Sequence, residues 1–302
     1  MSNPINLFWF RRDLRFEDNT GLFHALKAGL DVLPIFIFDQ TILDKLDNKE
    51  DKRVDFIHQT IAAMQAVLIE KGKTLWVGFG KPEEVMLQLT KNFSVNAVYT
   101  NHDYEPSAIA RDENIKNKLA AIGVEMFTFK DQVIFEKEEV TKDDGKPYTI
   151  YTPYANKWRA HWEGHVPKTN ASEKLLDKLI SHTPFPIPSL ASMGFKKTDV
   201  EIPSKKYNSI TVTKYTDQRN FPAIKGSTTH LSVHLRFGTI SVRQLALETR
   251  SLNSTFFNEL IWRDFYHMIL WHFPHVAEGK SFRAQYDFIE WRNSENKLHC
   301  RF

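Results

Sequence analysis

One predicted helix combines an acid, a cation and aromatic rings at spacings that bring them together. Between residues 254 and 266, five such side chains recur at intervals of three and four residues, namely Phe256, Glu259, Trp262, Arg263 and Tyr266. Side chains at this spacing share one helical face. A face of this kind suits a flat ligand, with a base stacked on Trp262 and hydrogen-bonded by Glu259. The alternative is a surface ion pair between Glu259 and Arg263, which is common and stabilises little.

A second segment has the composition of a phosphate-binding loop. Gly226 is followed by Ser227, Thr228 and Thr229, and a helix is predicted directly after them. Backbone N–H groups and hydroxyls at a helix start suit a phosphate or a pyrophosphate. An ordinary N-capped loop has the same pattern, so both interpretations stay open.

The first 131 residues predict the scaffold for such sites. Five short apolar runs are typical of buried parallel strands: Ile5–Phe10, Val32–Phe38, Thr74–Phe79, Ala97–Thr100 and Val124–Phe129. Helices are predicted between them at Asp55–Glu70, Pro82–Lys91 and Ala108–Ile122. Alternating strands and helices predict an α/β fold with a Rossmann-like parallel sheet. The charged loop Arg11–Asn19 after the first strand either binds a ligand or forms an ion-pair network.

The rest of the chain changes character twice. Residues 132–204 are rich in proline and charge, with helical periodicity only in patches such as Ser172–Ile180, and predict an interdomain connector. Strand patterns are absent from Pro203 onward, and Ser241–Thr249 and Asn253–His272 are predicted helices. We therefore expect an all-α domain over residues 205–302.

Composition limits the classes of protein to consider. The length of 302 residues suggests about two domains, and a hydrophobic fraction of 42% is ordinary for a globular protein. A single cysteine, Cys300, excludes an internal disulfide and a Cys-rich metal site, and we predict no metal. Neither a signal peptide nor an apolar run near the ~20 residues of a membrane span is found, so we expect a cytoplasmic protein with no membrane contact.

The basic charge is concentrated in the last third of the chain. Residues 203–302 carry a net charge of +6, whereas residues 1–202 carry −3. A basic domain suits a polyanionic partner such as a nucleic acid.

Six motifs in order resemble the DNA photolyase and cryptochrome family, most closely the class I cyclobutane pyrimidine dimer photolyases. They are WFRRDLRFEDN at Trp9–Asn19, KPYTIYTPYANKW at Lys146–Trp158, Tyr215 with Arg219, Gly226–Ser232, HLRFGTISVR at His234–Arg243 and NELIWRDFY at Asn258–Tyr266. The similarity is continuous from about Ile5 to Asn296. It implies an N-terminal antenna domain and a helical domain that binds FAD and DNA.

The resemblance also implies roles for single residues. The matched FAD contacts are Tyr215, Thr228, Thr229, His230, Leu231, Ser232, Phe256, Glu259 and Arg263. The matched DNA contacts are Arg219, Glu259, Trp262, Arg263 and Tyr266. Glu259 and Trp262 are the expected catalytic residues at a flipped dimer, together with Trp291 as the surface end of an electron-transfer chain.

An antenna pigment is a further expectation from the resemblance. Glu105 follows the fourth predicted strand, where some relatives bind a folate such as methenyltetrahydrofolate, and a flavin is the other antenna in the family. The alternative for Glu105 is an acid favoured by the dipole at a helix N-terminus.

The implied function is light-driven, electron-transfer repair of cyclobutane pyrimidine dimers in DNA by a monomeric lyase that uses FAD. The alternatives are a cryptochrome-type blue-light receptor and a non-functional remnant of a photolyase. In relatives the sequence continues beyond the stretch that matches Trp291–Asn293, through helices that contact the flavin ring. We therefore expect residues 1–302 alone to bind FAD poorly and to repair little.

Overall fold

The N-terminal part is built on a parallel sheet. The computed structural model describes residues 3–221 and 223–289. Its strands are β1 (Ile5–Phe10), β2 (Val32–Asp39), β3 (Trp76–Gly80), β4 (Val95–Asn101) and β5 (Glu125–Phe129). They pair in parallel in the order β3-β2-β1-β4-β5. The predicted α/β class is confirmed, and each predicted apolar run overlaps one strand.

Helices cover both faces of this sheet because successive strand side chains point to opposite sides. The helices are α1 (Thr20–Lys27), α2 (Gln40–Leu43), α3 (Lys52–Glu70), α4 (Pro82–Asn92) and α5 (Pro106–Ala120). In β1, Phe8 and Phe10 share a core cluster with residues of α1 and α3. Leu7 and Trp9 share the opposite cluster with residues of α4 and α5. A strand buried on both faces needs an unbroken apolar sequence, which is what the predicted runs have.

The connector contains a regular helix that the sequence did not predict. Helix α6 spans Tyr151–Gly164 and is followed by 3-10 turns at Ser172–Lys178 and Ala191–Met193. Pro153 lies in the first turn of α6, where a proline is tolerated because its missing N–H has no intrahelical acceptor. Trp158 and Trp162, one turn apart, are buried in the core of the helical part. Helix α6 is therefore part of that core, whereas Leu176 and Met193, from the two 3-10 turns, pack in the sheet cluster that contains Phe8 and Phe10.

The remaining elements are helical. They are α7 (Ser209–Thr213), α8 (Tyr215–Gln218), α9 (Ser232–Phe237), α10 (Val242–Thr249) and α11 (Ser254–His272), with 3-10 turns at Pro274–Glu278 and Ala284–Tyr286. The side chain of Asn253 caps α11 by accepting a hydrogen bond from the Phe256 N–H at 2.9 Å. Within the described residues, no helix is both long and apolar enough to cross a membrane. The domain boundaries after residues 131 and 204 stay predictions.

A buried ion-pair network joins the α/β part to the helical part. Asp131 accepts from the guanidinium groups of Arg15, at 2.8 Å, and of Arg243, at 2.9 Å. Arg243 also pairs with Asp18 at 3.0 Å. Burial raises the pKa of the Asp131 carboxyl, but the two arginines outweigh it and the net change in pKa is downward. The charged loop after β1 therefore forms an ion-pair network, and this network holds the α/β part against the helical part.

Candidate functional site

The exposed acid of α11 is paired with an arginine from α8. Arg219 Nη1 lies 2.5 Å from Glu259 Oε1, and the two side chains are 37% and 32% exposed. The guanidinium group of Arg219 also lies over the ring of Tyr215, 5.4 Å from its centroid. Within the described part of the chain, Glu259 forms no ion pair with Arg263. The partner of Glu259 is thus Arg219, which is distant in sequence but lies on the same surface.

Packing at the start of α11 holds α8 in place. Tyr215 meets Phe256 edge to face with ring centroids 5.2 Å apart. The hydroxyl of Thr216 lies 2.9 Å from that of Thr255. Four residues that the resemblance assigned to the cofactor or DNA therefore lie together: Tyr215, Arg219, Phe256 and Glu259.

Trp262 belongs to an aromatic stack at the same surface. Its ring lies parallel to that of Tyr151, with centroids 3.4 Å apart and planes inclined by 4°. The ring of Tyr266 stacks at 5.6 Å and is 61% exposed. The hydroxyl of Tyr151 donates to Asn258 Oδ1 at 2.6 Å. Burial raises the pKa of Tyr151 to about 12, so the hydroxyl remains a neutral donor.

Tyr151 and Asn258 are site residues that the sequence analysis did not single out. Both lie inside quoted motifs, and the spacing of Tyr151, Tyr154, Trp158 and Trp162 is helical. That periodicity was the available signal for α6, but the surrounding prolines favoured an irregular connector.

Arg263 points away from this surface. Its guanidinium group donates to the backbone carbonyl oxygens of Gln132 and of Leu235, the latter at 3.4 Å. Burial lowers its pKa, although the neighbouring Asp264 opposes this. The expectation that Arg263 shares a face with Glu259 and Trp262 is wrong for its charged group, because the long side chain reaches sideways to the backbone at Gln132 and Leu235.

The segment after Gly226 combines exposed hydroxyls with an unusual backbone. Gly226 has φ +78° and His230 has φ +54°, both in the left-handed region. Thr228 and Ser232 are exposed, Thr229 is half-buried, and the side chain of Leu231 is buried in the helical core. The Thr228 hydroxyl lies 3.0 Å from His230 Nε2. The segment therefore presents polar groups outward while Leu231 anchors it.

Ser227 is the buried member of this segment. It is 3% exposed, and its hydroxyl has no hydrogen-bond partner among the described residues. Buried hydroxyls are nearly always partnered. An external hydrogen-bonding group at this position would satisfy it.

Two other expected site residues lie elsewhere. Glu105 precedes α5 and pairs with Arg12 at 2.7 Å and with Arg236, from α9, at 3.3 Å, so it bridges the two parts of the protein. Trp291 lies outside the described residues. The proposed roles of both stay predictions.

Comparisons with known proteins point to one family. A family model described as DNA photolyase matches residues 6–173. The deoxyribodipyrimidine photo-lyase of Synechococcus sp. is 30% identical, over 98% of this chain and 66% of its own length. That of Halobacterium salinarum is 29% identical, over 98% of this chain and 67% of its length. This chain spans about two thirds of the length of these relatives.

Solved structures show the same similarity. A class III photolyase from Agrobacterium tumefaciens has 25% identity and a TM-score of 0.75, with 99% of this chain and 65% of that chain covered. A photolyase from Sulfolobus tokodaii, solved with two FAD molecules, has 27% identity and a TM-score of 0.73, with 98% and 66% covered.

Proposed function

Because this chain belongs to the DNA photolyase family, we propose that it serves the light-driven repair of pyrimidine dimers in DNA, with FAD as its cofactor. The observation that carries this proposal is the exposed surface of α8 and α11 on which Arg219, Glu259 and Trp262 are held. An acid, a base-stacking ring and a cation for a phosphate are the groups needed to hold a base outside the duplex.

The segment Gly226–Ser232 fits the phosphate side of FAD. The hydroxyl of Ser227 lacks a partner within the described chain, and those of Thr228 and Ser232 are exposed. Backbone N–H groups and hydroxyls of this kind bind a pyrophosphate through several short hydrogen bonds. Tyr215 and Phe256 would contribute the adjoining aromatic wall. When bound, FAD supplies the absorption of light and the transferable electron.

The α11 surface fits a flipped-out pyrimidine. Extruding a base costs a few kcal/mol, and stacking on an aromatic ring such as Trp262 returns about 1–3 kcal/mol per base. Tyr151 and Asn258 keep the Trp262 ring in a fixed orientation, so little stacking free energy is lost in ordering that ring when a base binds. Glu259 can accept a hydrogen bond from a base while it remains paired with Arg219. Arg219 has five N–H donors, so it can bind Glu259 and a phosphate together.

The proposal is tested by adding FAD in large excess to the chain, because weak binding is expected, and measuring light-dependent loss of thymine dimers from an oligonucleotide. Trp262→Ala should weaken binding of dimer-containing DNA about tenfold or more, as expected for one lost stacking partner. The matched control is Trp271→Ala, on the same helix but with its indole bonded to Glu138 instead of the stack.

Equal effects of the two substitutions would contradict the assigned surface. Stoichiometric FAD binding with photoreduction but no loss of dimers would favour a cryptochrome-type receptor. Failure to bind FAD at all would favour a remnant that lacks activity.

A further inference from the structure

A separate cavity lies between α6 and the start of α11. Its volume is about 530 Å³, and its lining includes Arg159, Trp162, Arg250, Ser254 and Thr255. Cavities of this size accommodate small-molecule ligands. The lining also includes Asn258, which orients Tyr151 against Trp262, but none of its residues is a proposed contact to FAD or to the flipped base.

Two guanidinium groups give the cavity a cationic lining. Arg159 Nη2 donates to Asn258 Oδ1 at 2.6 Å, and Arg250 Nη2 pairs with Glu163 Oε1 at 2.5 Å. Each guanidinium carries five donors, so most of them remain for a ligand. Glu163 is the one acid on the lining, and its side chain is 66% exposed. It can therefore turn into solvent when an anion binds.

The first turn of α11 adds backbone donors. This helix has 19 residues, and Ser254 and Thr255 are its first two. The first N–H groups of a helix lack an intrahelical acceptor and carry partial positive charge. The Asn253 side chain caps only the Phe256 N–H. Ser254 and Thr255 line the cavity, and the first turn of a helix favours an anion.

Trp162 supplies an independent indication of a ligand. It lines the cavity, is only 1% exposed, and is fixed by stacking on Trp158 at 5.3 Å. Its indole N–H has no hydrogen-bond acceptor among residues 3–221 and 223–289. Such a donor is rarely left unpaired in a folded protein. The nitrogen is itself enclosed, so an acceptor in the cavity would pair with it after a small shift of the atoms that cover it.

We propose that this cavity binds a phosphate group. Guanidinium forks, helix N–H groups and an indole N–H are donors that match the several oxygens of a phosphate. The volume exceeds that of the ion and leaves room for an esterified remainder. The phosphate belongs either to a nucleic-acid backbone or to a small phosphorylated molecule. The inference does not depend on the proposed repair function.

The site is linked to the aromatic stack through one amide. Asn258 Oδ1 accepts from Arg159 and from Tyr151, each at 2.6 Å. A phosphate that draws Arg159 away from Asn258 therefore loosens the group that orients Tyr151 against Trp262. Phosphate binding and the stack are coupled through this contact.

The test titrates inorganic phosphate into the full chain by calorimetry at constant ionic strength. Arg159→Gln and Arg250→Gln should each weaken phosphate binding on the order of tenfold, as expected for a lost charge-assisted hydrogen bond. The matched control is Arg53→Gln in α3, an arginine that is also exposed and paired with a carboxylate, Asp51, at 2.5 Å. Unchanged circular dichroism would show that each variant is folded.

A second arm identifies the source of the phosphate. Binding of undamaged duplex DNA is measured as a function of salt, without light or FAD. If the slope of log K for DNA binding against log salt becomes smaller in magnitude by about one in each cavity variant, the bound phosphate belongs to the DNA backbone. An unchanged slope with weakened phosphate binding assigns a small phosphorylated molecule. Phosphate binding that is absent, or equal in the variants and the control, would overturn the proposal, and neither arm depends on photorepair.

Discussion

Asp264 is a fully buried carboxylate that ties α11 to the rest of the protein. It accepts hydrogen bonds from the Phe135 N–H at 3.0 Å, the Trp158 indole N–H at 3.0 Å and the Ile134 N–H at 3.2 Å. These donors come from the segment after β5 and from α6. Asp264 therefore positions the helix that carries the candidate site.

Removing this acceptor should be strongly destabilising. Asp264→Ala leaves the three donors buried and unpaired, at about 1–3 kcal/mol each. We expect a loss of at least about 3 kcal/mol in the free energy of unfolding. Asp264→Asn keeps one oxygen for the Phe135 and Trp158 donors, so its loss should be much smaller. The asparagine variant is therefore the matched control for shape.

The comparison with asparagine should depend on pH. Burial raises the pKa of Asp264 from 3.8 to about 6, although its hydrogen bonds and Arg263 oppose this. Between these values the folded protein binds more protons than the unfolded chain, so stability decreases as pH rises. At about 1.4 kcal/mol per tenfold change in proton affinity, the wild type loses about 2 kcal/mol between pH 4 and pH 7. Because asparagine does not titrate, the Asp264→Asn variant does not show this decrease in the free energy of unfolding.

Urea unfolding of both proteins, followed by tryptophan fluorescence from pH 4 to pH 7.5, measures the effect. The asparagine variant should gain about 2 kcal/mol relative to the wild type across this range. Other titrating groups, including His267, are common to both proteins and cancel in the difference. A difference that stays constant with pH would refute the conclusion that the carboxylate is desolvated.

Substitutions at Gly238, His267 and Tyr151 give three further predictions about packing. Gly238→Ala should destabilise by about 2 kcal/mol or more in urea unfolding, because its Cβ would lie 2.0 Å from a backbone oxygen of the loop after β1 at φ +62°. Gly194→Ala, at φ +81° with open space, should lose only about 1 kcal/mol. Burial lowers the pKa of His267 to about 3, so the stability present above pH 6.5 is lost as pH falls, and His267→Gln should lower the pH of half-unfolding in acid titrations. Tyr151→Leu removes the ring that stacks on Trp262 and should weaken binding of dimer DNA several-fold, whereas Tyr151→Phe keeps the ring and should change it little.

The sheet was predictable because its signal is local. A strand buried on both faces needs consecutive apolar residues, and each of the five predicted runs overlaps a strand. Helix α6 lacked such a simple signal. Pro147 and Pro153 favour a break in the sequence pattern, yet only Pro153 lies within the helix, in its first turn.

Side-chain partners at the site were less predictable because they depend on tertiary structure. Helical spacing correctly predicts that Trp262 and Tyr266 are neighbours, because both residues belong to the same helix and are one turn apart. It offered Arg263 as the partner of Glu259, whereas the observed partner is Arg219, 40 residues away in sequence. Either arginine has the charge to pair with Glu259. Arg219 is the partner because α8 packs against α11.

The motifs where the α/β part meets the helical part contain two kinds of residue, those that face outward and those that join the two parts. The Leu14 N–H donates to the Phe237 carbonyl at 3.1 Å, and Arg15 donates to the Gly238 carbonyl at 3.1 Å. Two of the six motifs are thus bonded to each other, once between backbones and once through the Arg15 guanidinium group. Arg15 and Arg243, which by charge suit a phosphate, are instead committed to Asp131. The arginines left for an anion are those with exposed side chains, such as Arg219 and Arg250. Burial, rather than membership of a motif, is therefore what selects the arginines that can act on a ligand.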